Sequence, residues 1–181
     1  MIFSKTDIEG LIVIDTKKIS DERGYFFESF QLEKFCDFVG QEINFVQENE
    51  SMSSIDVVRG LHFQAPPFAQ GKLVRVPFGK VIDVVVDIRT NSLTYGKTFS
   101  IELSQENGKQ LWIPEGFAHG FVCLEENSLL SYKCTNYYNQ PSEDAILWKS
   151  KELNINWSVN KPIVSEKDQN AKDFSTFVSP F

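Results

Sequence analysis

His62 lies in "RGLHFQAPPFAQGKLVR", from Arg59 to Arg75, and is one of only two histidines in the chain. Taken alone, a strand histidine is more often structural than catalytic, so its neighbours decide the reading. Lys72 and Arg75 follow on "KLVRV", which reads as the next strand, with Pro66-Pro67 as the turn between. An imidazole beside fixed cations is held neutral, which is the form a general base needs. On a regular strand His62 shares a face with Gly60 and Gln64, while Arg59 falls on the other face with Leu61. Arg59 joins His62 only where the chain is irregular, and Gly60 is the residue that permits a bulge.

The second histidine, His119, ends "IPEGFAHGF". A proline, a glycine and then a histidine at a strand end resemble the second short motif of the cupin superfamily, whose members often hold a metal through several histidines and a glutamate. In "HFQ", however, Gln64 stands where a second histidine is needed. Two histidines cannot build a three-histidine site, and a neutral amide is a weak substitute. A metal-free site is expected, and a metal-dependent oxygenase is disfavoured. Cys36, Cys123 and Cys134 are odd in number and form no CxxC pair, so free thiols in a reducing compartment are expected.

The elements around these residues are short apolar runs cut by turns. "GLIVIDT", "GYFFESF", "INFVQEN", "KLVRVPF", "KVIDVVVDI", "TFSIELS", "KQLWIP", "GFVCLEE" and "SLLSYKCTNYY" read as strands. Asn107-Gly108 marks a hairpin, because both residues tolerate positive φ. One helix is expected from Gln31 to Val39, closed by Gly40, with Leu32, Phe35 and Val39 on one face. A second short helix is expected after Lys167. In "KVIDVVVDI", Ile82, Val84, Val86 and Ile88 share one face and Asp83, Val85 and Asp87 the other. Those two carboxylates either meet solvent or line a polar cavity. No repeat, linker or low-complexity tract divides the chain, so residues 1–181 are expected to form one domain.

The net charge of −7 and the lack of a basic run argue against nucleic acid, whose affinity depends on neutralising phosphates. No apolar run approaches the roughly 20 residues that span a bilayer, and the first residues lack the apolar core of a signal peptide. A cytoplasmic protein that does not bind membranes is expected.

"DERGYFFESF", "FVQENESMS", "VVRGLHFQAPP", "QGKLVRV", "VIDVVVDIR", "SLTYG", "WIPEGFAHGF", "SYKCTNYYNQPSE" and "SEKD" occur in order from Asp21 to Asp168. Together they resemble the dTDP-4-dehydrorhamnose 3,5-epimerase family. The resemblance implies an all-β cupin jelly roll, a barrel or sandwich of antiparallel strands with a few short helices. It implies a cofactor-free double epimerisation beside the C4 ketone of dTDP-4-dehydro-6-deoxy-D-glucose. His62 matches the base, Asp168 the acid paired with it, Lys72 the cation that meets the enolate, and Tyr132 the proton donor. Asp83 remains a rival partner for His62 from its place on the alternating strand. Arg23 and Arg59 match diphosphate-binding arginines. Glu28, Gln47, Asn49, His119, Glu143 and Lys167 match positions that contact nucleotide or sugar. Tyr138 matches the aromatic that stacks on thymine, and Phe26 a residue of the same pocket. The family implies a homodimer whose N-terminal segments cross, so that Arg23 and Glu28 serve the partner's site. The chain departs from the family in "DAILW" after "NQPSE" and in a short aromatic tail. An epimerase acting at a single carbon, and a sugar-nucleotide-binding cupin without catalysis, are the competing readings.

Overall fold

A computed structural model describes all 181 residues. The strands run in chain order as β1 (Ile2–Lys5), β2 (Ile12–Asp15), β3 (Ile19–Asp21), β4 (Gly24–Phe26), β5 (Gln47–Ser53), β6 (Val57–Gln64), β7 (Lys72–Phe78), β8 (Lys80–Asp87), β9 (Thr98–Ser104), β10 (Gln110–Ile113), β11 (Phe117–Cys123), β12 (Ser128–Cys134), β13 (Glu143–Ala145) and β14 (Ile163–Val164). Helix α1 spans Leu32–Val39 and α2 spans Glu166–Gln169. None of the helices is long and apolar enough to cross a membrane.

Two sheets face each other. The first has the order β1-β2-β10-β7-β12-β5, and the second β13-β6-β11-β8-β9 with β14 beside β6 in parallel. All other pairings between these strands are antiparallel, the arrangement of a jelly-roll sandwich. The inward faces meet in one apolar layer that includes Val74, Val76, Val85, Leu103, Leu111, Phe121 and Leu130. The outer face of the first sheet is covered by α1, where Phe35 packs with Ile12, Ile14, Leu73 and Trp112. Gly40 ends this helix in the left-handed region at φ 79, which glycine enters at little cost. The outer face of the second sheet is covered by the C-terminal third, with Leu153, Trp157 and Phe177 against Val84, Val86 and Val122. The aromatic tail, Phe177 and Phe181 against Phe63, belongs to this outer layer.

Several expectations change in detail. Asn107 and Gly108 do form a tight turn: Asn107 Oδ1 accepts from the Ser104 and Lys109 amides, and Gly108 sits at φ 63. The turn is nevertheless no hairpin. It carries the chain from β9, an edge of the second sheet, to β10 inside the first. The dipeptide encodes the reversal, and burial elsewhere selects each strand's partner. Likewise β6 and β7 are not neighbours. Pro66-Pro67 belongs to a connection between the sheets, so His62 and Lys72 stand on opposite walls. "GYFFESF" is extended in a strand only over Gly24–Phe26, and the strand expected in "INFVQEN" begins at Gln47 and runs to Ser53. Phe30 and Phe45 lie against the α1 cluster instead.

Asp83 and Asp87 are wholly buried on the inward face of β8, which excludes the solvated reading. Asp87 ends the strand by gathering Arg89 (2.7 Å), Ser92 (2.6 Å) and Thr94 (2.7 Å). Burial pushes its carboxyl up, but these donors outweigh it and bring the pKa to about 2.

Candidate active site

His62 points inward because its neighbours Leu61 and Phe63 are taken by the outer apolar layer. Its Nε2 lies 2.6 Å from Asp168 Oδ1. Asp168 arrives from α2, whose first turn is capped by Ser165: the Ser165 hydroxyl accepts from the Asp168 amide at 3.1 Å. The carboxylate enters along the edge of β6 between the stretches covered by β13 and β14. There its Oδ2 accepts from the Gly60 amide at 3.2 Å. Burial alone would raise the Asp168 pKa, but the hydrogen bonds from His62 and Gly60 more than compensate and hold it low. Asp83 is not the partner of His62; it sits 2.8 Å from Nε2 of His119.

Gly60 carries the irregularity that lets Arg59 join the face of His62. Opposite β11, His119 pairs with His62 but Phe121 pairs with Arg59, so β6 holds one extra residue. The bulge brings Arg59 to the same face as His62. Gly60 adopts φ 123, and a Cβ there would lie 2.5 Å from Gly120 Cα. Arg59 then bonds Ser53 Oγ at 3.0 Å, and its charge favours ionisation of the Tyr132 phenol.

The first sheet supplies the facing wall. Tyr132 pairs in register with Asn49 and Val74, and Cys134 with Gln47 and Lys72, so all of these share the inward face. Gln47, Asn49, His62, Gln64, Gln70, Lys72, Tyr132, Tyr138 and Glu143 together line a solvent-open cavity of about 100 Å³. Lys72 Nζ is 5.9 Å from the centre of the Tyr132 ring. Burial lowers the Lys72 pKa, and Cys134, Asp83 and Glu143 act against that. Burial also raises the Tyr132 phenol, which keeps it protonated at neutral pH. Arg75 is excluded. It pairs with Gln110 and Ser131 on the outward face of the first sheet, one residue out of phase with Lys72.

The mouth of the cavity is a polar chain. Tyr138 OH donates to Glu143 at 3.0 Å, and Glu143 pairs with Lys167 at 2.5 Å. Gln47 accepts from the Tyr138 amide at 3.0 Å. Gln64 is a structural clamp that sequence reasoning treated only as a failed ligand. Its amide donates to the carbonyls of Phe68 (2.7 Å) and Tyr137 (3.2 Å), and its oxygen accepts from the Asn139 amide. The loop carrying Tyr138 is thereby tied to the His62 strand. Gln70, also missed, lines the cavity and donates to the Asn136 carbonyl. No three His, Cys, Asp or Glu side chains converge as a metal cage.

Three expected site residues lie elsewhere in the single chain. Arg23 is exposed on the β3–β4 hairpin and bonded to Asp21, Phe26 is 71% exposed, and Glu28 lies 3.6 Å from Lys34 at the surface. His119 is within the wall, only 7% exposed.

Residues 5–176 match the family model for dTDP-4-dehydrorhamnose 3,5-epimerase. The chain belongs to the dTDP-4-dehydrorhamnose 3,5-epimerase family. The epimerase of that name from Shigella flexneri is 49% identical over 94% of each chain. The dTDP-4-dehydrorhamnose 3,5-epimerase structure from Elizabethkingia anophelis shares 46% identity over 97% of both chains, with a TM-score of 0.92. A dTDP-6-deoxy-D-glucose-3,5-epimerase from Legionella pneumophila, solved in complex with dTDP-4-keto-L-rhamnose, is 43% identical with a TM-score of 0.93, over 98% of this chain and 94% of its own. The all-β cupin fold read from the 3,5-epimerase motifs is the fold observed.

Proposed function

We propose that residues 1–181 act as one unit that epimerises dTDP-4-dehydro-6-deoxy-D-glucose at C3 and C5, giving dTDP-4-dehydro-L-rhamnose. The observation that carries this reading is a single cavity with an imidazole–carboxylate pair on one sheet and a lysine and a phenol on the other. Protons beside a ketone are weakly acidic, and inversion requires removal from one face and return from the other. His62 takes the C–H proton, and Asp168 holds its tautomer and stabilises the imidazolium. The electron pair passes into the carbonyl, and Lys72 meets the negative oxygen as it forms. Tyr132 delivers a proton from the opposite wall. His62 then gives its proton to solvent and Tyr132 recovers one. Substrate and product are isomers, so the cycle needs no electron acceptor and no cofactor.

Tyr138 at the mouth suits stacking on thymine, with Gln47, Asn49, Glu143 and Lys167 around the sugar and nucleotide. Arg59 faces the diphosphate from the bulge, and His119 backs the same wall. Arg23, Phe26 and Glu28 complete the site of a second copy of this chain. Their hairpin supports this, because Ile19 and Phe26 form a cross-strand apolar pair left 63% and 71% exposed.

Incubation with the 4-keto sugar nucleotide in D2O, followed by NMR, tests the reading. Deuterium is expected at both C3 and C5 without added metal. Exchange at one carbon would make the protein a single-site epimerase. Binding without exchange would leave only a sugar-nucleotide-binding cupin.

A further inference from the structure

The buried pair Asp83–His119 has no part in the proton transfers above. Asp83 is wholly buried, and its Oδ2 sits 2.8 Å from His119 Nε2. Its second oxygen, Oδ1, is buried and accepts no hydrogen bond from any protein group. A carboxylate oxygen left unpaired in the interior is costly, so its retention calls for a charge to serve. The facing wall offers one. Lys72 projects inward from β7 within electrostatic reach of Asp83, Glu143 and Cys134.

The other candidates for a counter-charge are already committed. Glu143 is paired with Lys167 and accepts from Tyr138. Asp168 is held by His62 and the Gly60 amide. Burial raises the Cys134 thiol, which leaves it neutral at ordinary pH. Tyr132 presents its ring to the ammonium and is held protonated. Only Asp83 keeps a buried carboxylate oxygen without a partner.

We propose that Asp83 is a positioning residue of this site, fixing the His119 ring with one oxygen and providing the internal counter-charge of the Lys72 ammonium with the other. Accepting the Nε2 proton leaves Nδ1 as the one ring nitrogen of His119 that can address the cavity. The counter-charge keeps Lys72 cationic in a site whose burial works against it, so that it can meet an enolate. The inference rests on the epimerase reading and deepens it.

The test compares Asp83→Asn, which keeps the shape and loses the charge, with the unaltered protein. Exchange at C3 and C5 is expected to fall about 100-fold in kcat, while dTDP affinity stays within about threefold. The alkaline limb of the kcat profile is expected to move down by about one pH unit. In a Lys72→Met background the same change should add no further loss, because the lysine it acts through is gone. A variant that melts lower but keeps kcat and the alkaline limb of the unaltered protein would overturn the proposal, as would losses that add fully in the double variant. Should Asp83→Asn fail to fold, Asp83→Ser carries the same readouts. In the unaltered protein, an NMR titration of labelled lysine, assigned with Lys72→Met, should find Lys72 protonated at pH 8; a neutral Lys72 there overturns the proposal. Lack of any C3 or C5 exchange in the unaltered protein would instead sink the epimerase reading, leaving the lysine titration to judge the Asp83–Lys72 pairing by itself.

Discussion

His62 and Tyr132 face one cavity from different sheets, and their separate roles can be told apart by substitution. His62→Asn removes the proposed base but keeps the size and polarity of the side chain. It is expected to lower exchange at C3 and C5 by about 10³-fold, with dTDP affinity by calorimetry changed less than about threefold. Tyr132→Phe leaves the proposed base in place. Deuterium should still enter from the His62 side while inversion falls by about 100-fold, so wash-in exceeds product formation. Equal loss of wash-in and inversion would remove the phenol as donor. Of these roles, only the likeness to the family's motifs pointed to Asp168 before the fold was known. From alternation alone Asp83 was an equal rival, because a strand pattern shows which face a carboxylate takes and not which histidine it meets.

At the scale of elements, β8 and the turn after it depend on Asp87. The donors from Arg89, Ser92 and Thr94 hold its folded pKa at about 2, below the unfolded value of about 3.9. A depressed carboxyl contributes stability that is present above the unfolded pKa and is lost as pH falls through the folded one. About 2 kcal/mol should therefore disappear between about pH 5 and pH 2. Asp87→Asn should lower denaturant stability at pH 7 by at least that amount and flatten the acid limb of the unfolding curve. An unchanged acid limb would show that Arg89 and its neighbours do not depend on the charge. The polar strand β5 shows why some elements were misplaced in the sequence. "QENESMS" is an edge strand whose inward Gln47 and Asn49 face the cavity and whose outward Glu48 meets Lys133 at 2.8 Å. With polar residues on both faces it carries no period-two hydrophobic signal, so the apolar "INFV" before it drew the assignment. Strands of two or three residues such as β13 and β14 leave still less pattern, yet they border the gap through which Asp168 enters.

For the molecule as a whole, the proposed crossing of the N-terminal hairpin makes each site a product of two chains. Arg23→Ala and His62→Asn proteins should each be nearly inactive. Mixed in equal amounts and allowed to exchange subunits, half the dimers become hybrids that hold one site with both native residues. Recovery of about a quarter of the native activity is expected, and its rise with time should follow subunit exchange measured by native mass spectrometry. If mixing restores nothing while hybrids form, Arg23 serves the site of its own chain.

The sequence alone determined the class of fold, through short apolar runs and turn residues whose spacing admits little but paired strands. It determined the helix closed by Gly40, showed that Gly60 would permit a bulge and, through its family motifs, pointed to His62, Lys72, Tyr132, Tyr138 and Glu143 of the cavity. Those features are local: each rests on φ preferences, periodicity or residue type within a few positions. Only the tertiary structure decided that His62 and Lys72 oppose each other across a cavity rather than sit side by side. It set Asp168 against His62, the pairing the family motifs implied, gave Asp83 to His119, which the sequence had not shown, and turned Arg75 out of the site. These are choices of partner between segments far apart in the chain. Burial of three apolar layers at once settles them, and no single stretch of sequence records that competition.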